Sequence, residues 1–385
     1  MRRFIAYIII FSITGIKLFS QNLNSTDTVN LKDYLFSLPK ISGYLQTGYD
    51  YNSFGEGTSS FQLKRLRLII DKTITPKSYL KIQFEALNGV NIGSAWKKQK
   101  TFQVLDAYFH YSFSNEFQIR VGEFSSPAGY ENYSISPLTN QTIDYASICT
   151  RMVLRNAVGY NYVDFGRDIG VMLMGNLIHN TEKNFDYLSY NVALTNGNLA
   201  TADDNNKTKD IIAAVTVWPL KKWNIKFAYN WGEYQLDNFS GSYDPEKHPW
   251  NQVQGEKYLP LHRFIVGTWY NDPTGLILRS EFGRLTSNHN SIKLVDEIGF
   301  YFLAAYNVHS QWTPVIRYDY YKDKINSNSS WNRNRILLGC NYQPLKWIKI
   351  QLNYSLSIYD NSIAKVINND RNLSNELQVM GLFSF

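Results

Sequence analysis

The sequence predicts an all-β fold, a closed transmembrane barrel of sixteen antiparallel strands. The first indication is the stretch 377–385, which alternates strictly between two sides, and this period of two is typical of a β-strand. One side carries no polar side chain and consists of Leu377, Val379, Gly381, Phe383 and Phe385. A final strand in an open sheet would leave an exposed edge, so we expect it to pair with the first strand and close a barrel.

The second indication is the length of the connections between strands. Short turns rich in Pro, Gly, Asn and Ser are predicted at 75–78, 112–115, 179–185, 219–222, 271–275, 308–311 and 343–346. Longer polar connections are predicted at 52–60, 88–101, 125–166, 197–208, 234–260, 286–295, 324–332 and 361–375. The two kinds alternate without exception. This alternation predicts sixteen strands with short periplasmic turns, long external loops and both chain ends on the periplasmic side.

The third indication is the composition. The chain has 385 residues, 15% of them aromatic, and Tyr alone occurs 28 times. Such a composition suits strands that are apolar only at every second position. Beyond the first twenty residues no segment has about 18 consecutive apolar residues, so no membrane-spanning helix is expected.

The amino-terminal stretch 1–20 is predicted to be a signal peptide. Arg2 and Arg3 form its charged start, and an apolar stretch follows over 4–16. A membrane anchor is the alternative, but the apolar stretch is too short for one and Lys17 interrupts it. We therefore expect an exported protein.

After the leader, 21–40 is predicted to be a periplasmic lead-in and 41–385 the barrel. Loss of the three basic residues of the leader lowers the formal net charge from +7 to +4. This mild excess is compatible with a preference for anions. Basic residues form no cluster, so no nucleic-acid partner is predicted.

The two cysteines, Cys149 and Cys340, are expected to be free thiols. An exported chain could pair them. However, Cys340 shares the parity of Ile336 and Leu338 and would face lipid, whereas Cys149 lies in a long connection. No spacing typical of a metal site occurs, and no cofactor is predicted.

The parity of each strand predicts which charges face the lumen. A charge on the lipid side costs roughly 2–4 kcal/mol at the membrane centre, so the apolar positions mark the outer face. On this rule the outer face includes Leu66, Leu68, Ile70, Leu105, Ala107 and Phe109. The lumen-facing charges are then Arg65, Arg67, Asp71, Lys81, Glu85, Asp106, Arg120, Lys226, Arg279, Glu281, Arg317, Asp319, Arg335 and Lys349.

These charges have two interpretations. Arginines in a lumen can contact phosphate or carboxylate groups, because their donors form a planar fork. Alternatively, neighbours on one strand pair and keep the lumen wet. The expected pairs are Lys81 with Glu85, Arg279 with Glu281, and Arg317 with Asp319.

Five segments carry a resemblance to a known family. Gly-x-Phe-x-x-Pro-x-Gly-x-Glu lies within 120–131, and Gly-Arg-Asp-x-Gly-Val occupies 166–171. Asn-Gly-Asn occupies 196–198, Arg-Tyr-Asp occupies 317–319, and Leu-Gly-Cys-Asn-Tyr occupies 338–342. In order and spacing these segments resemble the phosphate-selective porin O and P family, in its Bacteroidetes branch. The resemblance extends over most of the predicted barrel.

The resemblance implies a sixteen-stranded barrel, usually a homotrimer, with its third loop folded into the lumen and with passage of anions or phosphate. The connection 125–166 is the candidate constriction loop. The candidate lumen or anion-binding residues are Arg65, Arg67, Lys81, Arg120, Arg151, Arg155, Arg279, Arg317 and Arg335. Acidic residues interleave with them, unlike the dense cationic track of the family. This difference favours a mildly anion-preferring pore over strict phosphate selectivity.

The expected function is passive diffusion of small anionic or other small polar solutes through the outer membrane of a Gram-negative bacterium, with phosphate as a candidate solute. No catalytic fingerprint occurs, and the chain is not predicted to be an enzyme. Two alternatives remain. One is a barrel hydrolase that uses His110 beside Asp106, and the other is a structural or adhesin barrel plugged by its long loops.

Overall fold

The computed structural model describes residues 38–87, 101–153, 166–197, 204, 207–235, 258–289, 292–324, 330–360, 365 and 368–385. The predicted signal peptide and nearly all of the predicted lead-in lie outside these residues. From Lys40 onward, sixteen antiparallel strands form one closed barrel, as predicted.

The strands are β1 (Lys40–Asn52), β2 (Thr58–Thr75), β3 (Ser78–Leu87), β4 (Thr101–Ser112), β5 (Gln118–Ser125), β6 (Arg167–Asn180), β7 (Phe185–Thr195), β8 (Asp210–Leu220), β9 (Trp223–Gln235), β10 (Tyr258–Asn271), β11 (Leu276–His289), β12 (Ile292–Tyr306), β13 (Trp312–Lys324), β14 (Ser330–Leu345), β15 (Ile348–Tyr359) and β16 (Leu373–Ser384). Each strand pairs with its neighbours in chain order, and β16 pairs with β1. A closed sheet of this kind has no unpaired edge.

The carboxyl-terminal strand closes the barrel. Tyr44 lies opposite Ser384 in the β1–β16 register. Just beyond that register, the backbones of Gly43 and Phe385 exchange two hydrogen bonds of 3.1 and 3.0 Å. The prediction for the last strand is therefore confirmed.

Alternation decides which face of each strand turns outward. On β15 the exposed side chains are Ile350, Leu352, Tyr354 and Ile358, and the buried ones between them are Gln351, Asn353, Ser355 and Ser357. A shift of one residue in the pairing would exchange the two faces and place the polar set outside. The outer wall is thus apolar and the interior is polar, which is the pattern of a transmembrane barrel.

All seven predicted short turns lie between strands, but three predicted long connections are much shorter than expected. β1 and β2 are joined by 53–57 instead of 52–60, β11 and β12 by 290–291 instead of 286–295, and β13 and β14 by 325–329 instead of 324–332. Polar residues extend these three hairpins, because strand pairing needs only backbone groups once the strands pass beyond the apolar band. Connection lengths therefore do not alternate strictly.

A second correction concerns Leu105 on β4, which is fully buried and does not face outward. Gln83 pairs with Asp106 and the next residue, Phe84, pairs with Val104, so Leu105 is an extra residue in a β-bulge. A bulge inserts one residue and reverses the parity on its far side. Val104 is accordingly exposed.

After β5 the chain enters the barrel as residues 126–153, which we call the lumen segment. It contains one short helix, α1 (Glu131–Ser134), and a π-helical turn, Cys149–Val153. Across the described ranges, no helix has the length and apolar character needed to span a membrane.

The hydrophobic core lies inside the barrel, around the lumen segment. Ile148 and Met152 pack with buried side chains of β10 to β15, among them Ile265 and Leu303. A smaller cluster joins Ala128 to residues of the other wall, namely Tyr108, Phe124, Met172, Ala193 and Ile212. The lumen segment is therefore held by apolar contacts on both sides.

Candidate functional site

The lumen segment reaches the opposite wall at Tyr130. The Tyr130 backbone N–H donates to Glu281 Oε1 at 2.7 Å, and its hydroxyl donates to Asn224 Oδ1 at 2.7 Å. Lys226 Nζ donates to the Gly129 carbonyl at 2.8 Å. These bonds attach the start of the segment to β9 and β11.

The family-like stretch 120–131 explains how the chain turns inward. Gly122 has φ +126°, a conformation that L side chains rarely adopt. At Gly129 a Cβ would lie 2.8 Å from Val153 Cγ1, so the two ends of the lumen segment can meet only at a glycine. Gly129 therefore shapes the inserted segment, whereas Gly122 lies within β5, where a Cβ would meet the backbone of Ala107.

Two glycines of the wall form the recess that receives it. A Cβ at Gly267 would lie 2.7 Å from Tyr130 Cβ, and one at Gly283 would lie 2.7 Å from Ile148 Cδ1. Both residues are buried on inward positions of neighbouring strands, β10 and β11. A larger side chain at Gly267 would displace Tyr130, and one at Gly283 would force the side chains of Ile148 and Met152 to repack.

The middle of the segment is held by cations of the wall. Arg279 Nη1 donates to Asn140 Oδ1 at 2.8 Å, and Lys349 Nζ donates to the Asn140 carbonyl at 2.6 Å. The Arg279 guanidinium also lies over the Trp269 ring, 4.6 Å from its centroid. Both cations are thus held here by uncharged oxygens.

Arg317 and Asp319 act together on the same segment. Arg317 Nε donates to Asp319 Oδ2 at 2.9 Å, and Arg317 Nη1 donates to Thr142 Oγ1 at 2.7 Å. Asp319 Oδ1 accepts the Ser147 N–H at 3.0 Å. Both side chains are fully buried, so each depends on the other for its partners.

Asp144 attaches the lumen segment to β2 and β16, near the point where the barrel closes. Lys64 Nζ lies 2.7 Å from its carboxylate, and Gln378 Nε2 donates to Oδ2 at 2.9 Å. Burial acts to raise the pKa of Asp144, but Lys64 and Arg65 outweigh it and hold this pKa below the ordinary range. Lys64 is the extra residue of a bulge in β2. The carboxylate therefore stays ionised.

Glu131 is a buried carboxyl with an opposite shift. Burial raises the pKa of Glu131, although Arg317 acts to lower it. Oε2 accepts the Ala146 N–H at 2.7 Å, whereas Oε1 is buried without a hydrogen-bond partner. Burial likewise raises the pKa of the nearby Cys149 thiol well above its ordinary value.

The structure places most of the predicted site residues inside the barrel. Arg65 donates to the Ile143 carbonyl of the lumen segment at 3.1 Å, and Arg67 pairs with Glu85. Arg120 lies over the Tyr108 ring, 4.2 Å from the centroid.

Arg279 and Arg317 contact the segment as described above, and Arg335 pairs with Glu376 on β16. Arg151 lies in the π-helical turn. Lys81 is half-buried and lies opposite Asp71. Arg155 lies outside the described residues.

Of the three pairs expected along single strands, only Arg317 with Asp319 forms. Glu85 pairs with Arg67 across two strands and not with Lys81. Glu281 accepts backbone N–H groups of Tyr130 and Glu131, and Arg279 binds the lumen segment instead. The inserted segment supplies partners that the sequence of a strand cannot reveal.

His110 and Asp106, the pair that the alternative of a barrel hydrolase would use, bind different partners. His110 Nε2 lies 3.1 Å from Ser112 Oγ, and the ring stacks on Tyr79 at 4.7 Å between centroids. Asp106 accepts a hydrogen bond of 3.2 Å from Arg167 Nε. Both cysteines are free, as predicted.

Several residues of the site were missed by the sequence reasoning. They are the anchors Lys64, Glu131 and Asp144 and the recess glycines Gly267 and Gly283. For the glycines a signal existed, because they replace larger residues at inward positions of two neighbouring strands. Glu131 also had a signal, because it ends the family-like motif within 120–131. For Lys64 and Asp144 no signal existed, because their partners are distant in the chain.

The closed barrel, its apolar outer wall and its charged interior are those of an integral outer-membrane β-barrel protein. Residues 40–184 match the family model described as phosphate-selective porin O and P, which confirms the predicted resemblance over this part of the chain. No curated protein matches the chain in sequence.

Three solved structures illustrate the likeness of the fold. An anion-selective porin from Comamonas acidovorans has 13% sequence identity and a TM-score of 0.61, with 90% of this chain and 99% of that chain covered. The outer membrane channel DcaP of Acinetobacter baumannii has 13% identity and a TM-score of 0.59, with 90% and 97% covered. The trimer form of OmpT, an outer membrane protein of Vibrio cholerae, has 11% identity and a TM-score of 0.55, with 90% and 99% covered.

Proposed function

We propose that the protein is a passive channel for small solutes with a preference for anions. The observation that carries this proposal is a set of three inner arginines, Arg120, Arg279 and Arg333, whose side-chain contacts are uncharged groups. They contact the Tyr108 ring, Asn140 with Trp269, and Ser147, respectively. An arginine side chain stays protonated in proteins, so their charge is not cancelled locally.

Other inner arginines are balanced by carboxylates, as with Arg67 and Glu85 or Arg335 and Glu376. The interior therefore combines neutralised pairs with arginines whose contacts are uncharged, and with two carboxyl groups, Glu131 and Glu281, that accept backbone N–H groups. Rings of positive charge in a pore favour anions over cations. This mixture supports a moderate anion preference, with phosphate as one candidate solute, rather than strict selectivity for phosphate.

We propose further that the lumen segment forms the constriction of the pore and that Arg151, a residue of this segment, lies close to the narrowest point. The many bonds between the segment and the wall favour a fixed constriction over a mobile one. We also propose a homotrimer in the outer membrane of a Gram-negative bacterium, with the short turns in the periplasm. The trimer form of the Vibrio cholerae protein supports the oligomeric state.

The channel acts without catalysis in this proposal. His110 and Asp106 bind different partners. This observation supports a channel without catalysis, because a general base needs an orienting partner. The same density of bonds around the lumen segment also favours one competing function, a barrel that the segment keeps plugged.

The decisive experiment is single-channel recording in a planar bilayer under a KCl gradient, followed by titration with phosphate. Steady conductance with an anion-selective reversal potential would support the proposal. Block by phosphate at low concentration would place phosphate among the bound solutes. Folded protein that conducts no ions would overturn the channel and favour the plugged barrel.

A further inference from the structure

An open pocket of about 480 Å³ lies at the end of the barrel opposite the short turns. One wall is the hairpin between β1 and β2, from Tyr51 to Ser59, and the other wall carries Asn369 and Arg371, which lie just before β16. We call it the mouth pocket. Its volume falls within the range of roughly 300–1,000 Å³ that is typical of sites for small organic ligands. None of its lining residues belongs to the lumen segment.

Hydrogen bonds hold the two walls of the mouth pocket together. The buried Asn368 accepts the Gly55 N–H at its Oδ1, 2.9 Å away, and its Nδ2 donates to the carbonyl oxygens of Arg371 and Leu373 at 2.8 and 3.0 Å. Arg371 Nη2 donates to the Ser53 carbonyl at 2.9 Å and also to that of Gly55. The pocket is therefore formed before any ligand arrives, which reduces the entropy lost on binding.

The backbone of both walls adopts conformations that side chains rarely permit. Gly55 and Gly57 have φ +60° and +79°, and Asn369 and Asp370 have φ +55° and +58°. Two consecutive residues other than glycine in the left-handed region are uncommon. Such conformations persist only where the surroundings enforce them, and they cluster at ligand sites. This backbone favours a site shaped for a ligand over a chance gap between loops.

Several side chains around the mouth pocket have hydrogen-bonding groups that remain free. Glu56 Oε1 accepts one long bond of 3.4 Å from Asn369 Nδ2, and among the described residues nothing donates to Glu56 Oε2. The hydroxyls of Tyr51 and Thr58 and the Nη1 atom of Arg371 likewise have no partner within the described ranges. All five side chains are exposed, so a ligand can reach them. The pocket thus offers acceptors and donors side by side.

The charges and the ring of the lining indicate the class of ligand. Glu56 and Arg371 are the two charged residues of the lining, and their formal charges cancel. An ion therefore gains no net attraction here. The Tyr51 side chain is 42% exposed and presents an aromatic ring beside the polar groups. A sugar ring fits this combination, because it is neutral, its hydroxyls both donate and accept, and its C–H face packs on an aromatic ring.

We propose that the mouth pocket binds a sugar ring. Glu56 accepts from the hydroxyls of the ring, Arg371 donates to them, and Tyr51 packs against its C–H face. Tyr51 lies opposite Leu377, an exposed side chain of the apolar outer wall, so the pocket lies next to the apolar band. Both a free saccharide and the sugars of a membrane glycolipid can reach that position. The inference goes beyond the proposed channel, because binding needs no conductance.

The test is saturation-transfer NMR of the protein, folded in a detergent without a sugar head group, with glucose, galactose and N-acetylglucosamine as probes and acetate as the charged comparison. At least one sugar is expected to receive saturation from the protein, without competition by acetate. Glu56→Ala is expected to weaken the binding of that sugar about tenfold or more, because a charge-assisted hydrogen bond is lost. Tyr51→Leu is expected to weaken it severalfold, because the aromatic face is lost.

The matched controls are Glu182→Ala and Tyr306→Leu, which make the same changes at exposed residues of the opposite end. Both should bind the sugar as the unmodified protein does. Thr58→Ala serves as a further pocket variant, and heat-modifiable migration checks that every variant is folded. Absence of transfer to all three sugars, or unchanged affinity in the folded pocket variants, would overturn the proposal. Transfer that acetate abolishes would also overturn it, in favour of an anion site.

Competition with purified lipopolysaccharide distinguishes the two sources of the sugar. Displacement of the probe from the unmodified protein would support a glycolipid in the pocket, and a probe that stays bound would support a free saccharide. Sugar binding that depends on Glu56, in a barrel that conducts no ions, would keep the site and remove the channel.

Discussion

Arg317 and Asp319 form a buried ion pair along one face of β13, with 2.9 Å between Nε and Oδ2, and both side chains also hold the lumen segment. Arg317 donates to Thr142 and Asp319 accepts from Ser147. Because the pair is fully buried, neither group can exchange its partner for water. The wall and the inserted segment are therefore one cooperative unit at this point.

The first prediction follows from this pair. Arg317→Met leaves the Asp319 carboxylate buried without its counter-charge, which is expected to lower the free energy of unfolding by about 3–5 kcal/mol. Urea-induced unfolding in detergent, followed by tryptophan fluorescence, measures the change. Adding Asp319→Asn should restore part of the loss, because no uncompensated charge remains.

Lys222→Met provides the control for that series. Lys222 pairs with Asp272 at 2.8 Å, but both lie in exposed turns. An exposed pair is screened by water and contributes little. The unfolding midpoint should stay unchanged in this variant, and an equal effect of both methionine variants would refute the buried-pair interpretation.

The second prediction concerns the recess at Gly283. A Cβ there would lie 2.7 Å from Ile148 Cδ1 and 2.9 Å from Met152 Sδ, so Gly283→Val is expected to push these side chains of the lumen segment away from β11. Overpacking of this kind costs about 1–3 kcal/mol. If the lumen segment limits the current, the single-channel conductance should change while the barrel stays folded.

Gly275→Val is the matched control for the recess, because a Cβ at Gly275 has no atom closer than 3.7 Å. Its conductance should equal that of the unmodified protein. Should Gly283→Val also conduct normally and unfold at the same urea concentration, the segment would not be seated as described.

The faces of the strands could be predicted because lipid imposes a simple constraint on every second residue. Arg279, Arg317 and Lys349 lie inside for that reason, and all are buried. The bulges at Lys64 and Leu105 could not be predicted, because an extra backbone residue leaves no mark in the apolar pattern. At these two bulges the rule that every second residue shares one face therefore fails.

The partners of the inner charges could not be predicted from the sequence, for a different reason. Asn140 bonds to Arg279 and Lys349, residues more than a hundred positions away. Such contacts depend on where an irregular segment settles in a closed space, and periodicity carries no information about that. The family resemblance implied the inserted loop but none of its bonds.

The third prediction concerns pH and Asp144. Lys64 and Arg65 hold the pKa of Asp144 below its ordinary value of 3.8, so the ionised carboxylate stabilises the fold at neutral pH. This contribution is present above pH 3.8 and is lost as the pH falls below it. Asp144→Asn is expected to cost about 1.5–3 kcal/mol at pH 7, the value of a hydrogen bond to a charged group.

The difference between Asp144→Asn and the unmodified protein should shrink when unfolding is measured at pH 3 or lower. A constant difference across this range would mean that the carboxylate carries no special charge interaction. Asp272→Asn serves as the control, because Asp272 meets Lys222 in exposed turns.

The fourth prediction concerns Glu131, whose contribution to stability changes with pH in the direction opposite to that of Asp144. Burial raises the pKa of Glu131 above 4.5, with Arg317 and Arg279 acting against burial and Asp319 adding to it. The contribution of Glu131 to stability is therefore complete below pH 4.5 and is lost as the pH rises through the raised value. Glu131→Gln removes this loss and is expected to be more stable, relative to the unmodified protein, at pH 8 than at pH 4.5. Equal differences in unfolding free energy at the two pH values would show that the pKa of Glu131 is not raised.

The fifth prediction tests whether an inner arginine sets ion preference. Arg120 lies over the Tyr108 ring and meets no carboxylate within ion-pair distance among the described residues. At about 8 Å in water one charge is worth about 0.5 kcal/mol for each permeating ion, with opposite signs for anions and cations, so Arg120→Gln should lower the anion-to-cation permeability ratio roughly sixfold. The reversal potential under a KCl gradient measures this ratio, and Arg284→Gln, on the outer face, should leave it unchanged.

The effect of Arg120→Gln should fade near 1 M salt, where the Debye length falls to about 3 Å. A ratio that both variants change equally, or that does not respond to salt, would show that Arg120 acts on the structure of the pore and not through its charge.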